Sequence, residues 1–125
     1  MNNDQAIKPE RGKQFDLEER TARFGEQVVL FAKLLARDPV NVVLVTQLVR
    51  AASIGANYAE ADDAESKKDF RHKIGICRKE SRECKHWLRM LAAADPAHVN
   101  ESRRLWQEAK ELNLIFGAIR RKTET

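Results

Sequence analysis

The sequence predicts an all-α fold, an antiparallel up-and-down four-helix bundle, from three observations. The chain has 125 residues, 42% of them hydrophobic, which is enough for one core and one domain. It contains five Gly and three Pro, whereas the strong helix formers Ala, Leu, Glu, Lys and Arg are plentiful. Apolar residues recur every three or four positions in four segments, the spacing of one helix face. A three-helix core with one peripheral helix is the alternative arrangement.

The N-terminal part of the chain divides into a tail and a first helix. Residues 1–14 are polar and patternless, so we interpret them as a disordered tail, and residues 15–122 as the four-helix-bundle domain. The first helix is predicted from about Asp16 to Arg37. Its core stripe is Leu17, Thr21, Phe24, Val28, Phe31 and Leu35.

The second helix is predicted to begin at Pro39, because Asp38 can cap it and Pro is well suited to the first helical position. It should continue to about Ala61 and carries one charge, Arg50, between residues 39 and 59. One apolar stripe faces the core: Leu44, Leu48, Ala51, Gly55 and Tyr58. A second stripe is a candidate oligomer interface: Val45, Val49, Ala52, Ala56 and Ala59. The alternative is that a monomer buries both stripes.

The third and fourth helices follow from similar signals. Ser66 with Asp69 resembles a capping box, and the helix should stop near Ala94, before Asp95 and Pro96. Its core stripe is Phe70, Ile74, Cys77, Ser81, Cys84, Leu88 and Leu91. The fourth helix should begin between Asp95 and Asn100, with the core stripe Leu105, Ala109, Leu112, Phe116 and Ile119. The two cysteines are about 10 Å apart along the helix, too far for a disulfide, so we expect reduced core thiols.

A polar stripe of Arg50, Ser53, Asn57 and Glu60 runs beside the apolar stripes of the second helix. The stripe is either a catalytic or ligand site, or a structural network. We favour the structural network, whose candidate partners are Lys73, Lys79, Glu80 and Glu83.

Recognisable catalytic and metal-binding patterns are missing from the sequence. There is no Gly-rich phosphate loop, no strand-nucleophile-helix element and no Cys-His pair with catalytic spacing. His72 and His86 would lie about 21 Å apart on one helix, at about 1.5 Å per residue. We therefore expect no enzymatic activity, no catalytic residues, no metal site and no cofactor.

Positive charge is concentrated in the third helix. Residues 66–93 contain nine Lys and Arg against three Asp and Glu, a local charge of +6 in a chain whose net charge is +4. A basic stripe on the flank of its core stripe is the candidate nucleic-acid-binding surface: Arg71, Arg78, Arg82, Lys85 and Arg89. Trp87 and Trp106 could stack on bases or complete the packing.

The segment from Arg50 to Glu60, followed by residues 66–70, 79–83 and 87–88, resembles the bacterial four helix bundle protein family. That family includes proteins encoded by intervening sequences of 23S rRNA genes. The resemblance covers residues 24–120 and implies a ring-forming bundle, typically a pentamer. It also implies kinship with accessory variability determinant proteins of diversity-generating retroelements, which bind nucleic acid and partner a reverse transcriptase. The family's signature positions, structural in role, become Arg50, Ser53, Asn57, Glu60, Ser81 and Glu83.

Together these features predict a non-enzymatic homo-oligomer that binds or organises RNA or DNA through the basic stripe. The alternative is a structural or protein-interaction ring without nucleic-acid binding, whose protein partner could be a reverse transcriptase. The chain shows no continuous run of about 20 apolar residues and no signal peptide, so we expect a cytoplasmic protein without a membrane partner.

Overall fold

A computed structural model describes the backbone of residues 9–124, with side chains from residue 17 onward. These residues form α1 (Pro9–Leu34), α2 (Pro39–Ala51), α3 (Ile54–Asp62), α4 (Lys67–Ala94) and α5 (Val99–Lys122). A short 3-10 turn at Pro96–His98 precedes α5. Helices α2 and α3 together take the place of the predicted second helix, so α4 and α5 are the predicted third and fourth.

The helices form the predicted antiparallel four-helix bundle. Helix α1 packs against α2, α3 and α5, and α4 packs against the same three helices. Short connections join α1 to α2, α3 to α4 and α4 to α5, and each of these pairs is antiparallel, whereas α3 continues in the direction of α2. Helices α1 and α4 therefore occupy one diagonal of the bundle, and α5 closes it against α1. The three-helix alternative is wrong because α1 buries its whole core stripe.

The 3.6-residue period predicted most of the core, except in α2 and α3, where Ile54 and Ala61 are buried without having been predicted. In the predicted stripe of that segment Leu48 and Ala51 are buried, whereas Leu44, Gly55 and Tyr58 are half-buried. All six predicted core residues of the first helix are buried, with Leu35 just past the end of α1, as are those of α4 except the half-buried Phe70. Tyr58 of α3 reaches across the bundle to Phe116 of α5, with ring centroids 6.0 Å apart. Each fully buried Leu, Ile or Phe contributes about 1.5–3 kcal/mol relative to an exposed one, so this core dominates the stability of the fold.

Two predicted helix starts are confirmed by their capping bonds. The Asp38 side chain accepts a hydrogen bond from the backbone N–H of Asn41 at 2.8 Å. Ser66 Oγ accepts one from the N–H of Asp69 at 3.0 Å. Both bonds satisfy amides that lack a partner within their helices.

The predicted limits of the first helix were wrong. Helix α1 begins at Pro9 rather than near Asp16, and it ends at Leu34 rather than Arg37. Of the predicted tail, residues 9–14 are therefore helical, and residues 1–8 lie outside the described part of the chain. The sequence signal failed because the first turns of α1 lack an apolar stripe, and backbone helicity does not require one.

The predicted second helix is broken at Ala52 and Ser53. Ser53 Oγ lies 2.9 Å from the carbonyl oxygen of Arg50 and donates to it, in competition with regular helical bonding. The Ser53 N–H reaches the same carbonyl at 3.4 Å, which tightens the turn. A Cβ on Gly55 would lie 3.4 Å from the backbone nitrogen of Ala22. The break and the glycine thus bring α3 close to α1.

Candidate nucleic-acid interface

The polar stripe lies at the junction of α2 and α3 with α4, where its side chains meet two glutamates. Asn57 Nδ2 donates to Glu80 Oε1 at 2.7 Å, and Ser53 Oγ lies 3.2 Å from Glu80 Oε2. The single Ser53 proton serves either Glu80 or the Arg50 carbonyl at one time. Arg50 Nη2 lies 3.6 Å from Glu83 Oε1. These contacts join both sides of the helix break to α4.

The remaining signature residues also make contacts within the chain. Lys73 Nζ lies 2.9 Å from Glu60 Oε1, a second link between α3 and α4. Ser81 is buried, and its Oγ donates to the Arg78 carbonyl at 2.9 Å and accepts from Asn113 Nδ2 at 3.2 Å. Of the four candidate partners, Lys73, Glu80 and Glu83 contact the stripe, whereas the exposed Lys79 does not.

The carboxyl group of Glu80 has a raised pKa. Burial raises its pKa, and the neighbouring Glu83 adds to the rise, while the hydrogen bonds from Asn57 and Ser53 and the charge of Arg50 oppose it. Glu80 accepts hydrogen bonds from Ser53, just before α3, and from Asn57 of α3, while Glu83 pairs with Arg50 of α2, so the two glutamates together link both segments to α4. These contacts support a structural interpretation of the stripe.

The predicted basic stripe lies on the flank of α4 that faces α5. Arg78, Arg82 and Arg89 are exposed, and Lys85 is half-buried with its ammonium 5.8 Å from the centre of the Trp106 ring of α5. Arg71 differs from the others, because its guanidinium lies 3.4 Å from the carboxylate of Glu124. Among the described residues, no acidic side chain forms an ion pair with the other four members of the stripe, Arg78, Arg82, Lys85 and Arg89.

Helix α5 adds basic residues that the sequence analysis missed. Arg120 covers Gly75 of α4, where a Cβ would lie 3.3 Å from Arg120 Nε. Arg121 and Arg78 converge on Gly117, with Nη1 and Nε at 3.5 and 3.7 Å from a Cβ at that position. The two glycines therefore let arginines from both helices lie flat on the α4–α5 contact.

The other end of the same contact surrounds Trp106. Lys110, four residues further along α5, lies 5.7 Å from the centre of the ring, which Lys85 approaches from α4. Arg103 and Arg89 border a cleft beside the ring. We call the combined surface the basic seam, and its members are Arg78, Arg82, Lys85, Arg89, Arg103, Lys110, Arg120 and Arg121.

Acidic residues are directed away from the basic seam. On α5, Glu108 and Glu111 turn toward α1, where Arg20 binds them at 2.7 and 2.8 Å. Glu101 pairs with Arg104, which also reaches Gln27 of α1.

Helix α4 divides its charges in the same way. Glu80 and Glu83 face α2 and α3, as described above, while the basic stripe faces α5. Among the described residues, the acidic side chain that pairs with the basic stripe is Glu124, which contacts Arg71. The basic seam is therefore a surface of one sign, despite the modest net charge of the chain.

The candidate oligomer interface is divided by the helix break. Ala52 is buried inside the chain, and Val45 packs against the core, so these two residues serve the monomer. Val49, Ala56 and Ala59 are at least partly exposed. Exposed large apolar side chains also occur on the packed helices α1 and α2, and we call this set of side chains the apolar face. Its exposed large residues are Val29, Leu30, Leu34, Val40, Val42, Val43 and Val49.

Taken as one helix, the 24-residue segment Pro39–Asp62 is long and apolar enough to cross a membrane, by length and composition alone, with a mean hydropathy of 1.3. The segment holds no continuous run of about 20 apolar residues, because Asn41, Thr46 and Gln47 interrupt it, but these residues add no charge and its mean hydropathy stays high. Only 28% of the most apolar window is buried in the chain. Its polar residues pair with Glu80 and Glu83, which favours packing against α4 over lipid.

Other chemistry is sparse in the part of the chain that the structure describes. It holds no group of three His, Cys, Asp or Glu side chains arranged to bind a metal. Cys77 and Cys84 are free and buried, as expected from the sequence. Burial raises the pKa of Cys77 to about 12 and that of Cys84 further, so neither thiol is a nucleophile at neutral pH.

Residues 13–118 match the family described as 23S rRNA-intervening sequence protein. The chain belongs to this family. A crystal structure of a Bacteroides thetaiotaomicron protein from the S23 ribosomal protein family, described as having unknown function, shares the fold with a TM-score of 0.75. It is 28% identical, and the match covers 82% of this chain and 96% of that one. No curated protein matches the sequence significantly. The predicted membership of the 23S rRNA-intervening sequence protein family is thus confirmed.

Proposed function

We propose that the protein is a non-enzymatic, oligomeric nucleic-acid-binding bundle, and that the basic seam holds the phosphate backbone of structured RNA. The observation that carries this proposal is the segregation of charge on α4 and α5. A solvated helix surface ordinarily mixes both signs, whereas here the glutamates turn to other helices and the cations share one surface. Such a surface attracts a polyanion and meets little repulsion from acidic neighbours.

The shape of the basic seam suits a phosphate backbone. Arg78, Arg120 and Arg121 lie beside two glycines, and no ion pair within the described residues engages them. Arg78 and Arg121 are exposed. Guanidinium groups bind phosphate oxygens in bidentate geometry, so the donors of these two arginines are available to a passing backbone. The name of the family, with its reference to 23S rRNA, makes RNA the first ligand to test.

Oligomerisation belongs to the same proposal and rests on the apolar face. Seven exposed Val and Leu residues on two packed helices are more than scattered surface residues, and faces of this kind are typical of protein contacts. A second copy of the chain is the partner we propose, in a ring such as a pentamer. The apolar face and the basic seam lie on different helices, so an oligomer would leave the basic seam of every subunit open.

The apolar face also favours a second candidate function, a structural or protein-interaction ring without nucleic-acid binding. In that case another protein, such as a reverse transcriptase, would occupy part of the face. The two candidates differ in what the basic seam does, and a binding assay separates them.

The test is equilibrium binding of a fluorescent structured RNA to the wild-type protein over a series of salt concentrations. We expect the logarithm of the affinity to fall linearly with the logarithm of salt, with a slope of roughly −0.7 to −0.9 for each phosphate contacted. Eight basic residues in the basic seam would make that slope steep. Absence of RNA binding even at low salt would overturn the proposal and leave the protein-interaction ring.

A further inference from the structure

A cleft opens between the C-terminal half of α4 and the N-terminal half of α5, at the Trp106 end of the basic seam. Its volume is about 350 Å³, within the lower part of the range for small-ligand sites. Its lining combines an aromatic ring, aliphatic side chains, a serine and two arginines. The lining residues are Leu88, Arg89, Ala92, Ser102, Arg103 and Trp106.

Ser102 is the unusual member of this lining. The residue is 1% exposed, and its Oγ is buried without a hydrogen-bond partner. A buried helical serine commonly bonds a carbonyl one turn back, and a buried hydroxyl without any partner costs free energy. Ser102 lines the cleft, so a rotation of its side chain that turns Oγ toward the cleft would let a ligand supply the missing bond.

The surroundings of the cleft set the charge of that ligand. Arg89 and Arg103 border it from the two helices, and the ammonium groups of Lys85 and Lys110 stand 5.8 and 5.7 Å from the centre of the Trp106 ring. None of these four residues forms an ion pair with a carboxylate among the described side chains. The cleft therefore combines a flat apolar wall, one hydroxyl and a strongly positive rim.

We propose that this cleft binds one unpaired base of the RNA held by the basic seam. The base displaces an ammonium group from the face of Trp106, stacks on the ring and exchanges a hydrogen bond with Ser102 Oγ, while its flanking phosphates contact Arg89 and Arg103. Stacking on an aromatic side chain is the common way in which proteins hold single-stranded bases. This inference rests on the proposed function and sharpens it, because it makes a bulge, loop or single-stranded end the preferred target.

The experiment compares two ligands that carry the same phosphates. One is a single-stranded RNA decamer containing all four bases, and the other is an abasic ribose-phosphate decamer. The protein carries Trp87→Phe, which leaves Trp106 as the sole tryptophan of a chain that has two. We expect the RNA decamer to bind roughly tenfold or more tightly than the abasic one and to quench Trp106 fluorescence. The abasic decamer should bind with a similar salt dependence and without quenching.

Two variants locate the effect. Ser102→Val replaces the hydroxyl by a methyl of similar size, and removing an unpartnered buried hydroxyl should not unfold the chain. It should reduce the preference for the base-containing decamer about threefold to tenfold, the effect of one hydrogen bond, and leave the salt slope unchanged. Trp106→Leu should abolish the preference. Thermal unfolding measured in parallel checks that both variants fold.

The outcomes separate the cleft from the basic seam. Equal, salt-dependent binding of both decamers would overturn the base-binding cleft and leave the proposed function standing. A base preference that persists in both Ser102→Val and Trp106→Leu would also overturn it, because the base would then be bound elsewhere. Failure of both decamers and of structured RNA to bind would overturn the proposed function and the cleft together.

Discussion

Replacing Arg78, Arg82 and Lys85 by glutamate is expected to weaken binding of structured RNA by roughly a hundredfold or more at moderate salt. Each substitution removes one cation from the basic seam and adds one anion beside the RNA backbone. Because the variant no longer neutralises the three phosphates that these side chains face, the slope of log affinity against log salt should become shallower by about three. Titration of the labelled RNA by fluorescence anisotropy at several salt concentrations measures both quantities.

A matched control variant changes the net charge equally on another part of the surface. Arg23, Lys33 and Arg37 lie on α1 and in the turn after it, away from the basic seam. Reversing these three to glutamate should reduce affinity only slightly, through the overall field of the protein, and light scattering must show that the variant keeps its oligomeric mass, because Lys33 and Arg37 adjoin Leu34 of the apolar face. Equal reductions in the two triple variants would show that net charge alone attracts RNA, and an unchanged affinity in the first would exclude the basic seam.

The second large effect is expected from a single charge on the apolar face. Leu34 is 61% exposed in the isolated chain, so Leu34→Glu should leave the fold and its thermal stability nearly unchanged. In the proposed oligomer the same side chain is buried between subunits, where an unpaired carboxylate is costly. We expect the wild type to have an oligomeric mass at micromolar concentration and Leu34→Glu to shift it to the monomer, as measured by light scattering.

Leu114 provides the control for this experiment. It has the same exposed fraction, 61%, but lies on α5 rather than on the apolar face. Leu114→Glu should therefore keep the mass of the wild type. A strictly monomeric wild type would contradict the proposed oligomer, and dissociation by Leu114→Glu but not by Leu34→Glu would place the interface on α5.

Much of the fold could be predicted from the sequence because apolar spacing and capping residues are local signals. The stripe from Leu17 to Leu35 is buried along its whole length, and Asp38 and Ser66 cap the helices as expected. The end of α4 at Ala94 followed from Asp95 and Pro96 in the same way. Signals of this kind depend on neighbours three or four residues away, so they need no knowledge of the tertiary structure.

The helix break and the early start of α1 escaped prediction for different physical reasons. The helix is interrupted at Ala52 and Ser53, where Ser53 bonds the Arg50 carbonyl, and the pairing with α4 and the close approach of Gly55 to α1 hold the two halves in place. A serine near a glycine is too common in helices to indicate this alone. At Pro9 a helix begins without an amphipathic pattern, so the hydrophobic period had nothing to detect.

Half of the basic seam was missed because each helix was considered separately. Arg103, Lys110 and Arg121 are spaced by seven and eleven residues, which places them on one face of α5, so a signal was present in the sequence. What the sequence could not supply was the partner of that face. Only the packing of Arg120 on Gly75, and of Lys85 beside Trp106, shows that the two basic stripes share one surface.

The most direct test of the central claim is lysine footprinting with and without structured RNA. An acetylating reagent modifies exposed amines, and mass spectrometry reports the extent at each lysine. If the basic seam holds the RNA backbone, modification of Lys85 and Lys110 should fall when RNA is added. Modification of Lys33 on α1 and of Lys73, which pairs with Glu60 on the opposite flank of α4, should stay the same. Unchanged modification of Lys85 and Lys110 under conditions where the RNA is bound would contradict the account.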